Sequence, residues 1–180
     1  MVTKIKYLGL LSILSMTSLC QLHAASKIDG TWQTQKPDKN ARIKIESCTT
    51  HKDYKMLINA EPDRDATNDV LSTMLCGRIT WLSDPVYPEG DQEAGKPKVD
   101  RNNTNESLQS RPLMNLPILY GFTSDSDTKY SGGFIYNPED GQSYKCNMTL
   151  NDANNLEVHG FIEILSIPVG KTQLWKRVKD

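Results

Sequence analysis

Gly132-Gly133-Phe134-Ile135-Tyr136-Asn137-Pro138-Glu139-Asp140-Gly141-Gln142-Ser143-Tyr144 reads as strand, tight turn and strand. Pro138 presets the turn, and Asp140-Gly141 supplies the positive φ that returns the chain into a second strand. Gly132 and Gly133 bring backbone angles closed to other residues. The segment fixes a β-hairpin, and the rest of the chain repeats its pattern.

Period-two alternation, the mark of half-buried strands, recurs along the sequence while helical periodicity is nearly absent. Strands are expected at 28–34, 42–48, 75–82, 117–123, 132–137, 143–150, 156–164 and 172–178. Ile28, Gly30, Trp32 and Thr34 share a face of the first strand, and Ile43, Ile45 and Ser47 a face of the second. In the third, Leu75, Gly77, Ile79 and Trp81 point one way while Cys76, Arg78 and Thr80 point the other. Leu156, Val158, Gly160, Ile162 and Ile164 make the longest inward row. Such a succession predicts an all-β, antiparallel up-and-down barrel of about eight strands, a closure that also removes exposed edges.

Strand parity sorts the cysteines, since residues two apart share a face. Cys48 falls on the face of Lys44 and Glu46, and Cys76 on that of Arg78, so both point outward from strands that should pair. Cys146 shares its face with Tyr144, Met148 and Leu150, which is inward and apolar. A Cys48–Cys76 disulfide with Cys146 reduced and buried is the expected arrangement.

Two stretches interrupt the strands. Between the paired cysteines, Tyr54 to Ala60 is expected to add a strand, and Thr67 to Met74 reads as a short helix capped by Thr67 or Asn68. The segment from Asp84 to Pro112 is rich in Pro, Gly, Asn, Glu and Asp, which predicts a surface loop, mobile or functional.

Lys4 and Lys6 precede an apolar run from Tyr7 to Cys20, and Leu22-His23-Ala24 offers a small residue for cleavage. This is the pattern of a secretory signal over residues 1–24, leaving 25–180 as one β-barrel domain in the periplasm or outside the cell. No segment approaches the roughly 20 apolar residues of a transmembrane helix. Lys and Arg number 21 and Asp and Glu 22; without the leader's two lysines the balance is −3. That acidity argues against a nucleic-acid partner, which needs a basic face or stripe. Lys171, Lys176, Arg177 and Lys179 form a small basic tail that reads as a solvated strand end.

Gly30-Thr31-Trp32, Cys48, Leu75-Cys76-Gly77-Arg78-Ile79-Thr80-Trp81, Asp100-Arg101-Asn102-Asn103, Arg111-Pro112-Leu113, the hairpin and Thr172 to Arg177 follow one another in a specific order. As an ordered set they resemble a family of small secreted bacterial proteins known as a domain of unknown function, with a Gly-Gly-x-Ile-Tyr-x-Pro-x-Asp-Gly-x-x-Tyr core. The chain departs from that pattern at Asn103-Thr104-Asn105, Gln109 and Asn115, and its insertion between the cysteines is longer. The family in turn resembles lipocalins, with a Gly-x-Trp on the first strand and an Arg on the last. That resemblance implies a barrel-closing pair, Trp32 beneath Arg177, combining apolar burial with cation–π attraction.

The residues carry no catalytic signature. No Ser, His and Asp set is evident, and no Cys or His pair stands at zinc spacing, so neither an enzyme, a metal nor a cofactor is expected. Asp140, ahead of Gly141, is expected to bond nearby backbone amides. Asp100, Asn102, Asn103 and Arg111 mark a possible loop site, with an Asp100–Arg111 ion pair pinning the loop as the simpler reading. The expected function is binding of a small apolar or amphipathic ligand. The alternative is an envelope protein–protein interaction module whose interior is filled by Trp32, Tyr136, Tyr144, Met148 and Ile162.

Overall fold

A computed structural model describes residues 26–179, so the expected leader lies outside the described residues. Eight strands follow one another: β1 (Gly30–Gln33), β2 (Ala41–Ser47), β3 (Leu75–Leu82), β4 (Pro117–Ser124), β5 (Lys129–Asn137), β6 (Gln142–Asp152), β7 (Asn155–Ile164) and β8 (Ile167–Arg177). Each pairs antiparallel with its neighbour in sequence, and β1 meets β8 through Trp32↔Arg177 and Gln33↔Lys176. The result is a closed up-and-down barrel. Its core gathers Trp32, Ile43, Ile45, Met148, Leu156 and Trp175, none more than 1 % exposed.

The hairpin owes its shape to its glycines in two different ways. Gly132 and Gly141 have φ of 68° and 72°, the left-handed region expected of them. Gly133 serves through the space it leaves: a Cβ there would lie 2.4 Å from the Phe122 ring, so the ring packs directly on the backbone. Asn137 accepts from the Gly141 amide at 2.9 Å and closes the turn.

Several expectations are corrected. Tyr54 to Ala60 is not a strand but part of α1 (Lys52–Ala60), and α2 (Asn68–Thr73) follows with Thr67 as its N-cap, so the insertion holds two helices. The buried residues of α1 are Tyr54 and Ile58, one helical turn apart, while Met56 between them is exposed, the spacing of a helix face and not of a strand. Cys48 and Cys76 are bonded to each other, as parity predicted, yet both are buried at 1 %. They lie outside the barrel wall but share a core cluster with Tyr54, Ile58, Leu71 and Met74, because the insertion folds over that face. Trp81 leaves the face of Ile79: the β2–β3 register slips between Arg42 and Ile43, and Trp81 emerges 38 % exposed, with Arg42 Cζ 4.8 Å from its ring centroid. Strand β8 starts at Ile167 and not at 172.

The disulfide spans 28 residues. Replacing both cysteines by alanine should lower stability by roughly 3 to 4 kcal/mol in the chain-entropy model, measured as a shift in urea midpoint against the unreduced parent. A change below about 0.5 kcal/mol would mean that the insertion is held by its packing alone.

Candidate functional site

The antiparallel order gives the barrel two unlike ends. At one lie the β4–β5, β6–β7 and N-terminal connections; at the other lie the β1–β2, β5–β6 and β7–β8 turns and the segment 83–116.

The first end is closed. Trp32 is fully buried, and its indole Nε1 donates to the Ile28 carbonyl at 2.8 Å. Arg177 lies across it, with Cζ 4.2 Å from the ring centroid. The guanidinium also donates to the carbonyls of Lys27 at 2.6 Å, Asp29 at 2.8 Å and Ala153 at 2.7 Å. One side chain thus ties the chain before β1 to the β6–β7 turn. Gly30 is required here: its φ is 129°, and a Cβ would stand 2.9 Å from Arg177 Nη1. Arg177 is therefore a plug and not part of a solvated basic tail.

The loop residues Asp100, Asn102, Asn103 and Arg111 converge with the hairpin. Asp100 is completely buried, and its carboxylate accepts from Tyr136 Oη at 2.6 Å, Asn103 Nδ2 at 2.8 Å and Arg111 Nη2 at 2.8 Å. Burial, together with the Asp100 carboxylate, pushes the Tyr136 phenol well above its ordinary pKa. Asn102 donates to the carbonyls of Pro138 and Glu139, and its own carbonyl oxygen would stand 1.9 Å from a Cβ on Gly141. Segment 83–116 is thus pinned to the β5–β6 turn. Two isolated bridges, Val86↔Pro97 and Val99↔Pro112, fold it back on itself. Asp140 accepts from Gln142 N, Asn137 Nδ2 and Tyr144 Oη, all within its own hairpin. Every bond of this cluster joins one part of the rim to another.

The second end is open. A cavity of about 1330 Å³ begins among these loops and reaches into the barrel, lined on or beside every strand, with Ile43, Ile79, Ile135 and Val158 as apolar wall and Trp175 among its lining. Tyr136, Tyr144 and Ile162, which the packed alternative would place in a filled interior, border this space instead, and Ile162 is 49 % exposed. The inward row of β7 is therefore buried only as far as Val158; Ile162 and Ile164 stand at the mouth. Trp32 and Met148 do fill the core, and Cys146 is buried and reduced, with burial raising its thiol pKa.

The histidines play local parts. His51 caps α1, its Nδ1 accepting from Asp53 N at 3.3 Å, and His159 stacks on Phe161. Sequence reasoning missed Lys171, which lines the cavity from β8. A strand begun at Ile167 places it on the lumen face by the same parity that places Trp175.

Residues 30–177 match the model of a family described as "Uncharacterized protein conserved in bacteria (DUF2147)". The chain belongs to this family. The DUF2147 match runs from Gly30, which makes room for the closing arginine, to Arg177 itself. Among solved structures the chain is similar to protein HP1028 of the human pathogen Helicobacter pylori, a protein that belongs to the lipocalin family. The two share 21 % identity over 87 % of this chain and 86 % of that one, with a TM-score of 0.59. This likeness shows a lipocalin-like barrel for this DUF2147 chain. No curated protein matches it.

Proposed function

We propose that the barrel binds a small apolar or amphipathic ligand through its open end. The observation that carries this reading is the cavity of about 1330 Å³, larger than the roughly 300 to 1,000 Å³ of common ligand pockets, walled by inward aliphatic side chains beneath a polar rim. The packed interaction module requires that interior to be filled. A binding role outside the cytoplasm also agrees with the Cys48–Cys76 disulfide, which persists in oxidising compartments. Among the described residues no helix is long and apolar enough to cross a membrane. The polar groups around the mouth act as positioning contacts for the rim, and binding without catalysis is the proposed activity.

Titration with Nile red, a neutral apolar dye, tests the reading. The parent should enhance and blue-shift its emission saturably. Ile162→Trp, which adds bulk at a mouth position already half exposed, should weaken binding by about tenfold while leaving the unfolding free energy within about 0.5 kcal/mol of the parent. Equal binding by both proteins would place the dye elsewhere.

A further inference from the structure

The charged residues lining the cavity are unevenly placed. Asp84, Asp91, Glu139 and Asp140, and with them Lys36, Lys39, Lys98 and Arg101, all lie on the connecting loops of the rim. Lys171 alone comes from a strand.

Register fixes its position. Lys171 opposes Gly160 across the β7–β8 ladder, between the Ile162↔Val169 pair toward the mouth and the Val158↔Gln173 and Leu156↔Trp175 pairs toward the floor. Paired residues share a face, so the lysine belongs to the lumen side with Trp175. Gly160, its ladder partner, brings no side chain of its own, and Ile135 packs over it, a Cβ there standing 3.0 Å from Ile135 Cγ2. Lys171 is exposed, so its ammonium keeps its hydration at the open end of the cavity, where an entering anion would meet it.

The other charges leave it free. Lys36 pairs with Glu139 at 3.2 Å, and Arg101 with Asp91 at 2.9 Å. Asp140 is engaged by its own hairpin, and Asp84 accepts from Ser83 Oγ at 3.2 Å. Among the described residues Lys39, Lys98 and Lys171 make no ion pair, nor do Asp84 and Asp140, so the unpaired charge around the opening is positive by one.

We infer that the cavity selects a single-chain amphiphile with an anionic head, and that Lys171 is the counter-ion of that head while the chain lies toward Ile43, Ile79, Val158 and Trp175. This rests on the ligand-binding reading and adds its chemical class and orientation. Carboxylate and phosphate heads share the required charge; both accept several hydrogen bonds from an ammonium.

The test uses four amphiphiles of equal chain length below their micellar concentrations: dodecanoate, dodecyl phosphate, dodecanol and dodecyltrimethylammonium. Binding is read by calorimetry and by displacement of Nile red. The anionic pair should bind at least about fivefold tighter than dodecanol, the cation should bind weakest, and the two anions compared directly identify the preferred head. Lys171→Gln should remove the preference and leave dodecanol affinity unchanged; Lys39→Gln, on the rim, should retain most of it. Dodecanol binding as tightly as the anions, or Lys171→Gln keeping the preference, overturns the head-group assignment while ligand binding stands. Failure of all four to bind or to displace the dye overturns both.

Discussion

Asp100→Ala is expected to destabilise the protein by about 3 to 5 kcal/mol, the range seen when one partner of a buried ion pair is removed. The carboxylate has no exposed surface and holds three donors at once. Its loss leaves the Arg111 guanidinium without a counter-charge, and Arg111 Nε already has no partner. The Tyr136 hydroxyl loses its acceptor in the same step. Asp100→Asn preserves the shape and one acceptor oxygen, so it should cost less than alanine, and Tyr136→Phe should cost about 1 to 2 kcal/mol, the scale of one hydrogen bond. Urea unfolding gives the order. Limited proteolysis adds where the damage falls, since cleavage within 83–116 should rise before the barrel is cut. A loss below 1 kcal/mol for Asp100→Ala would mean that the loop is held by its other contacts.

Trp32→Ala should cost a similar 3 to 5 kcal/mol, as truncation of a buried tryptophan does. Here the effect is a cavity at the closed end together with an unpaired Ile28 carbonyl and the loss of the ring under Arg177. Arg177→Lys isolates the second half of the plug. A single ammonium cannot reach the three carbonyls that the guanidinium bridges, so even this charge-preserving change should cost about 2 kcal/mol. Thermal unfolding followed by tryptophan fluorescence reads both variants. If Arg177→Lys unfolds with the parent, the arginine contributes charge and little geometry.

These two clusters also mark what was legible in the chain. The hairpin spoke through residues whose backbone demands are local, and the order of strands through an alternation that survives in isolation. The pairing of Trp32 with Arg177 came from the resemblance to lipocalins, and the meeting of β1 with β8 supplies its geometry. The rest depended on contacts far apart in sequence. Trp81 changed face because of one extra residue in a ladder, which alternation alone does not display. Tyr54, Met56 and Ile58 fit a strand as well as a helix over so short a span, and packing against β4 settled the matter. The cysteines were placed on the correct side of the wall, but only the folded insertion makes that side an interior. Lys171 was hidden among Pro168, Gly170 and three further basic residues, a composition that reads as a frayed end. Pairing with β7 makes it part of the lumen.

The hairpin motif and the loop acids consequently belong to the frame of the mouth. Tyr136, Asp100, Asn103 and Arg111 shape the opening, while the surface a ligand would meet comes from alternate positions on the strands. Function on this account is a property of the space left inside the barrel.

Native mass spectrometry of the protein isolated without detergent from the cells that make it tests that claim most directly. A species heavier than the bare chain by one small molecule is expected, released on denaturation and depleted in Ile162→Trp. A parent that shows only the bare mass, and remains bare after incubation with dodecanoate and dodecanol, would contradict it.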